Sequence, residues 1–259
     1  MFDTSATNVP NFSVMARKGP QFIGPAHARV IAQRGGVGSR HTLNLLSRLV
    51  QRGEARRLAK GVYAPARVTR RRTLAPTATM RRIARTVAAE LPVLEPVISS
   101  TGQVASLMHN TPSREVVLVA ISRPFAREVA RVLAASGLQA QMVSTRVDME
   151  RLADLLGRVI VAVIPVGELR ASEAFAGVRM ARPERILVDL AIERERIGLP
   201  VYTEDIKAVG ESLLADFDFS ISRALDYARR RRAYDKTARL LRNIIEHDER
   251  LRPYAVALP

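Results

Sequence analysis

Cysteine is absent from the 259-residue chain, and so is tryptophan. The lack of thiols excludes disulfides, thiolate metal sites and cysteine nucleophiles, and it fits a cytoplasmic protein. Long apolar runs are missing too. The longest, 159–166, is far short of the ~20 residues that a bilayer-crossing helix needs, so no membrane partner is expected. Residues 1–10 lack the charged-then-apolar layout of a secretory signal, so secretion is not expected. Acids are scarce in one place. Residues 1–75 hold only Asp3 and Glu54 against 14 lysines and arginines, which puts +12 of the chain's formal +16 into that stretch. The rest carries +4 and is close to balanced. A small basic module beside a near-neutral one points to a polyanion partner for the first.

What is present is ordinary for a globular protein, 47% hydrophobic and 25% charged, which excludes a wholly disordered or collagen-like chain. The pattern divides it into a tail over 1–10, a winged helix-turn-helix over 11–66, a linker over 67–76 and a C-terminal domain over 77–259. In the last, strand-like runs at 93–99, 115–122, 138–144 and 158–166 alternate with helices at 77–91, 102–109, 124–136 and 149–157. Beyond 183 the chain reads as helix only, over 183–196, 204–215, 220–232 and 234–249. The expected class is α+β or α/β, with a mixed sheet of about four strands, flanking helices and a helical C-terminal part. The strands over 116–121 and 159–164 are nearly all apolar, as befits a sheet covered on both faces.

The helix over 39–52 carries the functional argument. At about 100° per residue, Thr42, Leu43, Leu45, Leu46, Leu49 and Val50 share one arc. Arg40, His41, Asn44, Ser47, Arg48, Gln51 and Arg52 fill the other, and Ser39 is placed to cap the N-terminus. No acid occurs from 39 to 53. A merely solvated face normally mixes charge signs. Arg, Asn and Gln are the side chains that read base edges in a major groove. Two short strands, 54–58 and 62–64, follow around Ala59-Lys60-Gly61. A recognition helix leading into a basic hairpin is the layout of a winged helix-turn-helix, with Arg56, Arg57 and Lys60 placed for DNA phosphates. Arg67 and Arg70–Arg72 either continue that phosphate track or form a solvated linker.

The run Leu46-Ser47-Arg48-Leu49-Val50-Gln51-Arg52-Gly53-Glu54-Ala55-Arg56-Arg57-Leu58-Ala59-Lys60-Gly61-Val62-Tyr63 resembles the N-terminal winged helix of AbiEi-type antitoxins, which belong to bacterial toxin–antitoxin pairs. Ile98-Ser99-Ser100-Thr101, the strand over 116–121, Pro183-Glu184-Arg185-Ile186-Leu187-Val188-Asp189-Leu190 and Ala224-Leu225-Asp226-Tyr227-Ala228-Arg229-Arg230-Arg231 resemble later segments of that family. Ser99 stands where that pattern favours tryptophan, and Val119-Ala120 lacks its usual following acid. The resemblance implies a repressor of its own operon that binds double-stranded operator DNA and neutralises a nucleotidyltransferase-like toxin. The rival reading is a plain winged-helix regulator whose C-terminal domain senses a ligand or mediates assembly. A third class is a DNA-processing nuclease.

Enzyme chemistry is not expected. Gly38-Ser39 has no metal-binding acids after it, as nucleotidyl transfer requires. There is no phosphate-binding loop of the G-x-x-x-x-G-K-[ST] form and no G-x-S-x-G elbow. His27, His41, His109 and His247 have no metal-ligand spacing, so neither a metal nor another cofactor is expected. Arg229–Arg232 is expected to pair with Asp226 and Asp235, and Glu184 and Asp189 to be helix-start and surface charges.

Overall fold

A computed structural model describes residues 72–154 and 157–258, the strands over 55–59 and 62–65, and the helical positions 44, 47, 48, 50 and 51. The hairpin strands are β1, Ala55–Ala59, and β2, Val62–Pro65, which pair antiparallel with Arg56 opposite Ala64 and Arg57 opposite Tyr63. They agree with the expected hairpin to within a residue.

The body is an α+β layer structure. In chain order it contains α1 (Ala78–Glu90), β3 (Val97–Ser100), α2 (Thr101–Val104), β4 (Glu115–Ser122), α3 (Ala126–Ala135) and β5 (Ala140–Met142). There follow α4 (Arg146–Ala153), β6 (Val159–Val166), β7 (Ser172–Phe175) and β8 (Val178–Ala181). Four helices complete it: α5 (Pro183–Arg196), α6 (Thr203–Asp216), α7 (Ile221–Arg230) and α8 (Tyr234–His247). A final 3₁₀ segment covers Glu249–Ala257. The sheet has six strands, not about four, in the order β5-β6-β4-β3-β8-β7. It is mixed: β4–β6, β5–β6 and β3–β8 run parallel, and β3–β4 and β7–β8 antiparallel.

The alternation of strand side chains splits the core in two. Ile98, Val117, Val119, Ile121, Val161, Val163, Val178 and Met180 face α1 and α3, where Met80, Ile83, Val87, Val129 and Leu133 meet them. Val97, Val116, Leu118, Ala120, Ile160, Ala162 and Ile164 face α4 and the C-terminal helices. Both faces are covered, which is why β4 and β6 are apolar at nearly every position.

Several boundaries moved for local reasons. The strand expected over 93–99 starts only at Val97, because Pro92 and Pro96 have no N–H to give a ladder. The helix expected over 149–157 begins at Arg146, where Thr145 and Asp148 form a reciprocal capping box. The one expected over 102–109 is α2 followed by a 3₁₀ turn, Ala105–Leu107. The last part of the expected linker is docked: Leu74 and Pro76 are buried, and the Arg72 N–H donates to the Asp216 carbonyl at 3.1 Å. Strand β1 lies beside α7 and the final 3₁₀ segment. No helix among the described residues is long and apolar enough to cross a membrane.

Candidate functional site

Two sets of residues are candidates. The first is the polar face of the basic module. Asn44, Ser47, Arg48 and Gln51 are helical and exposed, and Val50 is half-buried. This is the sidedness expected of a helix with a polar and an apolar arc. Arg56 and Arg57 lie on β1. Ser39, Arg40, His41, Lys60, Arg67 and Arg70 lie outside the described residues.

The second set was not anticipated. Helix α5 is buried on nearly all sides, since Ile186, Leu187, Val188, Leu190 and Ala191 leave no solvent face in its middle. Its charges are therefore interior. Glu184, Arg185, Asp189 and Glu193 are all buried, so Glu184 and Asp189 are not surface charges. Arg185, Asp189 and Glu193 recur at i, i+4 and i+8 and form one stripe facing the sheet and α7.

Asp189 is the centre of this stripe. Its Oδ2 accepts from Arg185 Nε at 3.1 Å. Its Oδ1 accepts from Tyr227 Oη at 2.9 Å and from Arg231 Nη1 at 2.7 Å. Arg231 also reaches Glu193 Oε1 from Nη2 at 2.6 Å, and Arg196 Nε donates to Glu193 Oε2 at 2.8 Å. The Arg185 and Arg231 guanidiniums lie 5.3 and 5.8 Å from the Tyr227 ring centroid. Arg231 was expected to pair with nearby surface acids. It turns inward instead, because α7 ends one residue before it and the chain reverses at Arg232, whose φ is 56°. Of the four arginines in that run, Arg229 does pair with Asp226, at 3.0 Å, while Arg230 points to Glu168 at 3.5 Å.

The electrostatics follow from burial. Burial, and then the negative Asp189, holds the Tyr227 phenol far above its usual range, so the hydroxyl is a fixed donor and not a base. Burial works to lower Arg231, but Asp189, Tyr227 and Glu193 outweigh it and keep the guanidinium charged. A shallow recess lies below, floored by Val97, Ser99, Leu118, Ala120, Ile164 and Val166 and roofed by Arg185, Asp189, Glu193 and Arg231. Each oxygen of Asp189 and Glu193 already carries a donor. The arrangement clamps α5 to α7. Among the described residues no group of three His, Asp or Glu side chains could hold a metal ion.

A similar anchor joins Glu184 to the start of α7. Its Oε1 accepts from the Ser220 N–H and from Arg223 Nε, each at 2.8 Å, and burial pushes its pKa up.

No curated protein matches the chain. Among solved structures, the crystal structure of the RV2827C protein from Mycobacterium tuberculosis is similar, with 16% identity and a TM-score of 0.40. That similarity covers 95% of this chain and 78% of the other. The model of DUF6577, a family of unknown function, matches residues 42–247, four-fifths of the chain, and the protein belongs to that family.

Proposed function

We propose that the protein is a DNA-binding antitoxin that represses its own operon and neutralises a nucleotidyltransferase-like toxin. One observation carries the DNA-binding part. The acid-free helix face leads directly into an antiparallel hairpin, within the stretch that holds +12 of the chain's net +16, and Asn44, Ser47, Arg48 and Gln51 are exposed on it. This is the charge, polarity and order of a winged helix-turn-helix. In this reading Arg40, His41, Asn44 and Arg48 meet base edges, while Arg56, Arg57 and Lys60 hold phosphates. The antitoxin part rests on the resemblance described above. The α+β body, with its balanced charge and complete core, is assigned the neutralising role.

The test is a mobility shift on DNA from the chain's own promoter, at several salt concentrations. Arg40→Ala and Arg48→Ala should each cost about 1–3 kcal/mol and relax preference at one base pair. Lys60→Ala should weaken all sequences alike and reduce the salt slope by about 1. Unchanged shifts in both arginine variants would remove the assigned face. Co-expression with a nucleotidyltransferase-like protein encoded beside this gene tests the second part: growth must be rescued.

A further inference from the structure

The outer face of the α1–α3 layer is a second concentration of positive charge, separate from the basic module. On α1, Arg81, Arg82 and Arg85 are exposed on the side opposite the buried Met80, Ile83 and Val87. On and before α3, Arg123, Arg127 and Arg131 are exposed likewise. Only two acids share these elements, Glu90 and Glu128, and Glu128 is taken by Arg131 at 2.6 Å. The layer therefore holds a net +4, equal to the whole excess of residues 76–259, so the remainder of the body balances. Arg85, Arg123 and Arg127 have no carboxylate partner among the described residues, and Arg81 and Arg82 donate to the backbone carbonyls of Pro76 and Ser136. Exposed arginines elsewhere in the body are of both kinds: Arg170 and Arg229 lie beside acids, whereas Arg146, Arg158 and Arg239 have no carboxylate partner among the described residues. What sets this layer apart is six exposed arginines on or just before two packed helices.

Exposed apolar residues border the same layer. Five large ones are exposed among the described residues, and three of them, Val93, Phe125 and Phe175, converge at one end of the sheet. Val93 is 90% exposed in the turn that follows α1. Phe125 immediately precedes α3, at the end where Val97 pairs with Ala120. Phe175 is opposite Val178, and cross-strand partners share a face. Val178 packs in the α1–α3 core, so Phe175 lies on that side too. The Glu95–Arg179 pair at 3.3 Å ties the turn after α1 to β8. Strand spacing puts the ends of β4 and β7 about 14 Å apart, which one docked segment can span.

We infer that this face docks a protein segment that is acidic and carries apolar side chains. A concentration of unpaired arginines favours carboxylates or phosphates opposite it. A second copy meeting this face two-fold would bring arginines against arginines, which disfavours that pairing. The flanking Val93, Phe125 and Phe175 favour a protein over a nucleic-acid duplex, whose stacked bases offer them no apolar partner.

The full-length chain is titrated by fluorescence anisotropy with a labelled amphipathic Glu/Leu peptide, with an oligoglutamate of equal length, and with a duplex DNA. Arg85→Glu combined with Arg127→Glu should weaken the Glu/Leu peptide roughly tenfold or more, while Arg239→Glu on α8 changes it little. Val93→Ser with Phe175→Ser should weaken the same peptide and leave the oligoglutamate unaffected. All five positions are exposed, and unchanged melting checks the fold. The inference is overturned if oligoglutamate binds as tightly as the Glu/Leu peptide, or if Arg239→Glu costs as much as the paired reversal. It is equally overturned if the paired reversal weakens the duplex as much as the peptide, which would make the face a nucleic-acid surface.

Discussion

Ser100 Oγ donates to Glu115 Oε1 at 2.6 Å. Thr77 Oγ1 gives a second hydrogen bond to the same oxygen at 2.8 Å, and Thr79 Oγ1 one to Oε2 at 2.9 Å. Ser100 and Thr77 are themselves N-caps, accepting from the Gly102 and Met80 N–H groups. One carboxylate at the start of β4 thus fixes the N-termini of α2 and α1.

Glu115→Ala should therefore destabilise by about 1–3 kcal/mol, since three part-buried hydroxyls lose a charged acceptor. Glu115→Gln should cost less. Gly102→Ala should also be unfavourable, because a Cβ there would stand 2.9 Å from Glu115 Oε1. Urea unfolding of the three variants measures the order.

Asp189→Ala should be the most damaging single change in the body, on the order of 3–5 kcal/mol, because it leaves Arg185 and Arg231 buried without their shared partner. Tyr227→Phe removes one donor to Asp189 and one acceptor for Arg231, and should cost about 1–2 kcal/mol. Calorimetric melting should separate the two clearly, and equal costs would mean that the charges are not the working part of the clamp.

Two carboxylates should give opposite acid responses. Burial raises Glu184, so the folded state binds its proton more tightly than the unfolded state does. Its contribution is complete below the ordinary value of 4.5 and is lost as pH rises through the raised one. Asp148 is lowered by hydrogen bonds from the Ser144 and Thr145 backbone and the Thr145 hydroxyl. Its contribution is complete above 3.8 and is lost as pH falls through the lowered value. Melting temperature against pH for Glu184→Gln and Asp148→Asn, each compared with the parent, should show differences that change in opposite directions.

A fragment beginning at residue 72 should be more stable than one beginning at 77. The longer one keeps buried Leu74, worth roughly 1.5–3 kcal/mol, and the Arg72–Asp216 backbone bond. Thermal melts of both fragments decide it.

The parts legible in the sequence were those where one signal dominates. Strand β4 and helix α5 have the boundaries that their apolar run and Pro183 indicate. The β7–β8 hairpin escaped because Ser-Glu-Ala-Phe is half polar and an exposed edge strand needs no apolar pattern. Its turn, with Ala176 and Gly177 both at positive φ, had only one glycine to announce it. The start of α4 was available in Thr145-x-x-Asp148, a capping-box spacing. The interior charges of α5 were readable in principle. A helix with apolar residues all round has no wet side, so Asp189 and Glu193 had to be paired inside. Their partner Arg231 was not readable, because it comes from a turn some forty residues away whose direction depends on the left-handed Arg232.

Helix α7 is a wall shared by two rooms. One side is bolted to α5 through Tyr227 and, just past its end, Arg231. The backbone of β1 runs beside it. The hairpin is therefore seated, not tethered. Whatever displaces α7 displaces the surface on which β1 lies.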